Sequence, residues 1–423
     1  MELLLATQRL AGPGGVQTYM LTVAPHLERL GHQVTLHAEE LGTMAEVARE
    51  RGLRVAREDE LPERCDALLA QDGATLLALA ERYPDAVRAI VVHGAEYDLH
   101  LPAGVDGLAA LAIVMNSVIE RRMRATAHPP PVVRLRQPID TQRFRPLGVV
   151  RDRPERVLML GNYLSDRERD ALARACDEAG LEWRQAGLHG ELLADPVQAI
   201  SDADIVVGQG RSLLEAMACG RAAWLYGPGA GDGWVTPANY AAIEGDGFRG
   251  RALAEHHDAG SFARAIAEYD VAMGEQNRGL VMLYHTGYAH AVELVEALAG
   301  GVPERPPADA PLRELERLVR TQHDAQVRTG ELARRLRVVN DAYEALHEKH
   351  DALWRERDEL RDLRVRDHRE AVARIESVER ELAECREWNA KLERRIAAIT
   401  GSRRWRALAL AARPLEAVRR LRR

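Results

Sequence analysis

The chain has 423 residues, of which 46% are hydrophobic, 29% are charged and only 4% are aromatic, and its formal net charge is −7. This length exceeds that of one ordinary domain and predicts two domains with an appendage. The negative net charge argues against nucleic acid as a partner. The sequence also lacks a stacking platform and a base-reading motif.

Targeting signals and cysteines point to the cytoplasm. After Met1 the sequence enters a strand-like run directly, with no secretory signal, and no apolar run approaches the roughly 20 residues that span a bilayer. The four cysteines have neither metal-ligand nor disulfide-framework spacing. They are Cys65, Cys176, Cys219 and Cys385. We therefore expect a cytoplasmic protein in a reducing environment.

The first region, residues 1–145, alternates apolar runs with amphipathic helical patterns. The predicted strands are Glu2–Thr7, Gln33–Ala38, Ala67–Gln71, Arg88–His93, Ala112–Asn116 and Val132–Arg136. Strands separated by helices indicate parallel β-α-β units. We expect one Rossmann-like domain here, followed by a proline-containing linker between Arg143 and Pro154.

The alternation restarts in residues 151–300. A strand at Val157–Leu160, a helix from Arg167 to Ala179 and a strand at Glu182–Ala186 predict a second doubly wound domain. Ligands of such sheets bind outside the carboxyl ends of the strands. The predicted fold class is therefore α/β, with two Rossmann-like domains facing a cleft and a long helical extension behind them.

The most informative segment is residues 203–227, ADIVVGQGRSLLEAMACGRAAWLYG, which predicts a strand, a tight Gly-x-Gly loop, a helix and a strand. The free amides of the helix beginning at Arg211, together with its positive dipole end, form an anion site suited to a diphosphate. Glu215 lies one turn further in, where its carboxylate could accept hydrogen bonds from a ribose. The alternative is an ordinary crossover with a surface glutamate, since a glycine-rich turn is a weak signal.

Gly, Pro and Ala are concentrated in residues 300–310, so 301–330 is interpreted as a linker and the start of a helix. Residues 331–400 predict a coiled coil, and hence a homo-oligomer, in preference to a single solvated helix. Apolar residues recur every seven positions at Leu332, Val339, Leu346, Leu353 and Leu360, and two later series run through Ile375, Leu382, Asn389 and Ile396 and through Val378, Cys385, Leu392 and Ile399. The register slips between the blocks, and a core Asn389 would fix the alignment of the helices.

Residues 401–423 form a basic tail with eight arginines and one glutamate. Apolar side chains at helical spacing make the tail amphipathic. This pattern is compatible with docking on an anionic membrane surface, and equally with docking on a protein.

Several segments, in the same order, resemble family 4 glycosyltransferases, the retaining enzymes with the two-domain GT-B fold. The matching residues are Gly14 and Gly15 in the first loop, Gly31, His32 and Val34 before the second strand, His93 and Gly94 at a strand end, Pro138, Asp140, Phe144 and Pro146 between the domains, and Glu215 within SLLEAMACGRAA. The resemblance covers about residues 1–300.

This resemblance implies a nucleotide-diphosphate sugar as donor, bound mainly by the second domain, without a metal or other cofactor. The donor-binding residues would be Gly14, Gly15, Asn162, Arg167, Gly210, Arg211, Ser212, Leu213, Leu214 and Glu215. Glu215 would hold the ribose, and the amides of residues 211–214 would face the diphosphate. His93 would contact the sugar near the reacting carbon. The alternative for His93 is a buried histidine satisfied by backbone, and for the two glycines of the first loop a mere turn.

Three positions depart from the family pattern. Val207 stands where the family has the first of its paired glutamates. Asn162 and Arg167 stand at the phosphate-binding Arg and Lys positions, so one charge is lost and the other is kept on a different side chain. The chain is therefore either a glycosyltransferase with altered sugar contacts or a catalytically degenerate GT-B module that acts as a scaffold.

The tail carries a second, shorter resemblance, to a Ser-x-x-Trp-Arg segment at the C-termini of bacterial surface-polysaccharide enzymes. Ser402, Trp405, Arg406, Pro414 and Leu415 carry it. It implies an acceptor that is a glycan or is linked to lipid, and a protein that is peripheral at the inner face of the membrane.

Overall fold

The computed structural model describes residues 1–94, 101, 105–126, 128–161, 164, 166–187, 190–191, 193, 195–227, 230–254, 257–303 and 308–401. The chain divides into two compact units, Met1–Asp324 and Ala325–Arg423. Within the described residues, no helix is both long enough and apolar enough to cross a membrane.

The first sheet of the Met1–Asp324 unit has seven parallel strands in the order β3-β2-β1-β4-β5-β6-β7. Its elements are β1 (Glu2–Leu10), α1 (Gly15–Arg29), β2 (Gln33–Leu41), α2 (Thr43–Glu50), β3 (Arg54–Ala56), β4 (Ala67–Ala70), α3 (Gly73–Ala80), β5 (Val87–Val92), β6 (Leu111–Val114), α4 (Ser117–Arg124) and β7 (Val132–Arg134). In β1, Leu3 and Leu5 enter one hydrophobic core, and Leu4 and Ala6 enter the other. Burial on both faces explains why the predicted strands read as continuous apolar runs.

The second sheet has five strands in the order β12-β11-β10-β8-β9. Its elements are β8 (Arg156–Leu160), α5 (Asp166–Ala179), β9 (Glu182–Ala186), α6 (Val197–Asp202), β10 (Ile205–Gly208), α7 (Gly210–Ala218), β11 (Ala222–Gly227), β12 (Ala230–Trp234), α8 (Tyr240–Asp246), α9 (Ala259–Ala267) and α10 (Ala272–Tyr284). The predicted class, α/β with two Rossmann-like domains and a helical extension, is confirmed.

Strand β12 has no counterpart in the sequence prediction. It pairs antiparallel with β11, whereas the other strands of this sheet are parallel. Its sequence, AGDGW, contains two glycines and an aspartate, residues that are depleted in strands. Asp232 is nevertheless buried, because its carboxylate accepts the backbone N–H groups of Ala252 and Leu253 at 3.0 Å each.

Helix α11 (Gly287–Ala299) returns from the second sheet to the first. Its apolar side chains Ala291, Leu294 and Leu298 belong to the core of the first sheet, against α1. The end of the predicted range 151–300 therefore lies with the first domain. The sequence pattern of residues 287–299 carries no information on which of the two sheets covers this helix.

Helix α12 (Ala310–Gly401) is continuous over 92 residues, through the position where the heptad register slips. Its first turns belong to the Met1–Asp324 unit, where Ala310 and Glu314 are buried. From Leu332 onward, most of the large apolar side chains that the structure describes are exposed. The predicted linker and helix start at 301–330 therefore contain nearly six turns of helix before the heptads begin.

We expect the full chain to self-associate through α12, because pairing removes the exposed apolar side chains from water. Light scattering should give a mass above the 47.0 kDa of one chain. A chain ending at Asp324, which keeps the buried first turns of α12, should be monomeric. A monomeric full-length protein at micromolar concentration would contradict this prediction.

Candidate active site

The loop between β10 and α7 lies at the carboxyl end of the second sheet. Gly210 has φ +61, and a Cβ there would meet open space, so a glycine is required by the backbone and leaves room beside it. Gly208 has a different role, because a Cβ there would lie 2.5 Å from the Leu160 carbonyl oxygen of the neighbouring strand. Of the two glycines in the motif, only Gly210 suits the close approach of a ligand.

The first turn of α7 supplies backbone donors. Its N-cap, Gln209, is extended and forms no side-chain capping bond, and the Gly210 amide donates to the Phe248 carbonyl at 2.8 Å. The next amides, of Arg211 and Ser212, lie in the first turn, where backbone N–H groups lack intrahelical acceptors. The positive end of the helix dipole and these free amides together form a suitable site for an anion. The predicted residues Leu213 and Leu214 bury their side chains in the core, so only their backbone could serve the site.

Glu215 is 8% exposed and is paired with a residue of its own helix. Its Oε1 accepts a hydrogen bond from Arg211 Nε at 2.9 Å. Burial raises the pKa of Glu215, and the guanidinium of Arg211 opposes that rise. A ribose hydroxyl that donates to this carboxylate would therefore share it with Arg211 or displace that side chain.

Arg211 also connects the two domains. Its Nη1 donates to the Pro138 carbonyl at 3.0 Å, and its Nη2 donates to Thr22 Oγ1 at 3.0 Å. Thr22 lies on α1 of the first domain, and Pro138 lies on the segment between the domains. One guanidinium thus holds the start of α7 against α1, the helix that begins at Gly15.

His93 follows β5 at the carboxyl end of the first sheet. Its Nε2 lies 2.7 Å from Gln71 Oε1, and the Gln71 amide nitrogen donates to the Leu69 carbonyl at 3.2 Å. The amide is thereby oriented with its oxygen toward His93, so Nε2 of His93 carries the proton. The Gln71 side chain therefore contacts this ring and helps to orient it.

A chain of aromatic and imidazole rings leads from His93 into the domain interface. Tyr19 of α1 packs edge-on against His93, with ring centroids 5.1 Å apart, and its hydroxyl lies 2.9 Å from His290 Nε2. His290 Nδ1 lies 2.8 Å from the Arg136 carbonyl, so Nδ1 donates and Nε2 accepts from Tyr19. Burial lowers the pKa of His290 to about 4, which keeps the ring neutral.

The first-loop glycines lie exposed where α1 begins. A Cβ at Gly15 would meet open space, and one at Gly14 would meet the flexible end of Gln17. Neither glycine packs against the protein in a way that excludes other residues. The open space beside Gly15 is compatible with a ligand, as the resemblance implies.

The three departures are distributed as follows. Val207 is fully buried in β10, between Met159 and Trp224 of the flanking strands, and belongs to a hydrophobic core. Arg167 lies in the first turn of α5, and Asn162 lies outside the described residues.

A cavity of about 820 Å³ opens beside His93 at the carboxyl ends of β1, β4 and β5. Its polar lining includes Thr7, Gln71 and Asp72, and the start of α12 contributes Glu314 and Arg317. Sequence analysis did not associate α12 with this cavity. The signal was absent because the contact joins positions more than 200 residues apart.

Sequence analysis also missed a buried polar network between the domains. Glu244 of α8 pairs with Arg134 of β7. His285 places its Nδ1 2.8 Å from the Gln137 carbonyl and its Nε2 2.8 Å from the Tyr240 hydroxyl, and burial lowers its pKa to about 4. No sequence signal indicated this network, because Arg134 and Glu244 are 110 positions apart.

Solved structures with this fold are GT-B glycosyltransferases. HepE from Anabaena, solved in complex with UDP and glucose, is 13% identical, with a TM-score of 0.52 over 71% of this chain and 100% of that one. A glycosyltransferase from Rickettsia africae is 13% identical, with a TM-score of 0.50 over 70% of this chain and 97% of that one. No protein-family model matches the sequence. A search of curated proteins finds no match. At this identity the likeness establishes the GT-B fold and leaves the reaction to be argued from the site.

The two buried histidines predict a pH dependence of stability. Each binds a proton near pH 6.5 in the unfolded chain but only near pH 4 in the folded one, so the unfolded state holds more protons between these values. The free energy of unfolding should therefore fall as the pH drops from 6.5 towards 4, by about 1.4 kcal/mol per pH unit for each histidine. Urea titrations at several pH values measure this slope. His290→Gln should lower the slope by about 1.4 kcal/mol per pH unit, the contribution of one proton. An unchanged slope would show that His290 does not remain neutral in the folded protein.

Proposed function

We propose that the chain is a glycosyltransferase that moves a sugar from a nucleotide-diphosphate sugar to a glycan or lipid-linked acceptor, in the assembly of a bacterial surface polysaccharide. The observation that carries the proposal is the convergence of three elements on α1. Gly14 and Gly15 begin this helix, Tyr19 packs on His93, and Thr22 is bonded to Arg211 at the start of α7. Donor-side and acceptor-side elements thus meet at one helix.

The donor diphosphate would lie at the first turn of α7. In the reaction the bond from the sugar's anomeric carbon to the phosphate oxygen breaks, and negative charge grows on the departing diphosphate. The amides of Arg211 and Ser212 and the dipole of α7 would stabilise that charge without a metal ion. The family resemblance supports a retaining outcome as part of this proposal.

The acceptor would occupy the cavity beside His93. Its volume of about 820 Å³ accommodates more than one sugar ring. Apolar side chains such as Leu77 and Leu318 line it together with Asp72, Glu314 and Arg317. A cavity of mixed polarity favours an acceptor that combines hydroxyl groups with an apolar portion, as a lipid-linked glycan does.

A second candidate function is a catalytically silent GT-B module that acts as a scaffold through α12. Two observations favour it: Val207 replaces a carboxylate with a core side chain, and Glu215 is paired with Arg211. Calorimetric titration with a panel of sugar nucleotides, with donor hydrolysis monitored alongside, separates the two functions. Binding with turnover supports the enzyme, whereas binding without turnover supports the silent module.

We expect Glu215→Ala to weaken the binding of nucleoside diphosphates and of nucleosides alike, because Glu215 would bind the ribose that both contain. Loss of a charge-assisted hydrogen bond costs about 1.5–3 kcal/mol, so the affinity should fall roughly tenfold or more. Glu215→Gln keeps the shape and most of the polar contacts. Its affinity should lie between those of the unaltered chain and the alanine variant. Unchanged calorimetric affinity in the alanine variant, with its fold intact, would remove Glu215 from the site.

Arg167→Ala should weaken the binding of nucleoside diphosphates far more than the binding of free nucleosides, because the lost charge would face phosphate. The matched control is Arg174→Ala, an exposed arginine on the same helix α5. That variant should bind both ligands as the unaltered chain does. Equal losses for diphosphate and nucleoside in Arg167→Ala would show that Arg167 does not read phosphate.

We further propose that residues 402–423, which lie outside the described residues, dock the protein at the inner face of a membrane. Each basic residue near an anionic surface contributes about 1 kcal/mol. The full chain should sediment with anionic vesicles, less so at high salt, and a chain ending at Thr400 should not. If both chains sediment alike, the tail docks on a protein partner instead.

A further inference from the structure

The exposed side of α12 carries two blocks of apolar side chains at heptad spacing. In the first block Leu332, Val339, Leu346, Leu353 and Leu360 are 59–65% exposed. In the second block Ile375, Val378, Leu382 and Ile396 are 48–58% exposed. The register changes between Leu360 and Ile375. Two helices can therefore cover both apolar blocks only if this change of register occurs at the same level in each helix.

We propose that this surface is covered by α12 of a second copy of the chain, aligned parallel and in register. The proposal goes beyond self-association because it fixes the direction and the alignment of the two helices. It is independent of glycosyl transfer.

Charge complementarity supports the parallel direction. Each heptad has two core positions, the first called a and the second d. In a parallel pair, the residue just before position a of one helix faces the residue five places later on the other helix. That rule sets Arg374 against Glu379 of the second copy and Glu381 against its Arg386. These five-residue pairs have opposite charges, all are exposed, and symmetry doubles each one.

Asn389 supports the alignment. It occupies a core position of the second block, so an in-register pair brings the two Asn389 amides together, where each can bond the other. A shift by one heptad would place Asn389 against Leu382 or Ile396, and its amide would be buried without a partner.

The same alignment brings Cys385 opposite Cys385 in the next core layer. Cys385 is exposed on α12, whereas Cys65, Cys176 and Cys219 are buried. If one helix were reversed over residues 325–401, the two Cys385 residues would lie about 66 Å apart, at about 1.5 Å of rise per residue. A disulfide through the native cysteine therefore reports the direction.

The first experiment treats the full chain with oxidised glutathione, which accepts the two electrons released as two thiols join. A covalent dimer should form on a non-reducing gel, and Cys385→Ser should abolish it. In the Cys385→Ser background, Val378→Cys at a core position should restore the dimer, and Arg380→Cys on the outer face should not. A protein that is dimeric by light scattering but does not cross-link through Cys385, or that is monomeric, overturns the proposal.

The second experiment tests the charge pair. Glu381→Arg faces Arg386 of the other copy and should raise the dimer dissociation constant roughly tenfold. The double variant Glu381→Arg with Arg386→Glu should restore it. The matched control, Glu387→Arg, makes the same charge change on the outer face and should leave the dissociation constant within about threefold. Absence of an effect from Glu381→Arg, or of rescue in the double variant, contradicts the parallel alignment.

Discussion

The cleft depends on the three-way contact of Arg211. Its guanidinium holds Glu215 on its own helix, the Pro138 carbonyl between the domains and the Thr22 hydroxyl on α1. The side chain is only 15% exposed, so its charge has little water and relies on these acceptors. The first turn of α7 is thereby held at α1, and the backbone amides of that turn acquire a fixed position relative to the first domain.

This contact changes the meaning of Glu215. The family resemblance makes this residue a ligand of the donor ribose, and in the structure it balances a buried arginine that joins the domains. Under the proposed function, ligand binding and domain contact would share one carboxylate. A ribose that displaced Arg211 from Glu215 would also act on the Thr22 contact, because one guanidinium makes both hydrogen bonds.

Much of the fold was predictable from sequence, because parallel strands with two buried faces give unbroken apolar runs. β9 was predicted at its observed bounds, and the β10–α7 motif to within one residue. The miss at β12 has a local cause, since its glycines and Asp232 read as a loop. The partners of His93 and Glu215 could not be predicted, because Gln71 and Arg211 acquire their roles only through the folded geometry.

The path of α11 bears on how the protein is made. The first sheet needs Ala291, Leu294 and Leu298 to cover α1, and these residues come after the whole second sheet. During synthesis the first domain is therefore incomplete until nearly 300 residues have left the ribosome, and one face of α1 stays uncovered until then. The two sheets cannot mature one after the other as independent bodies, although each has its own hydrophobic core.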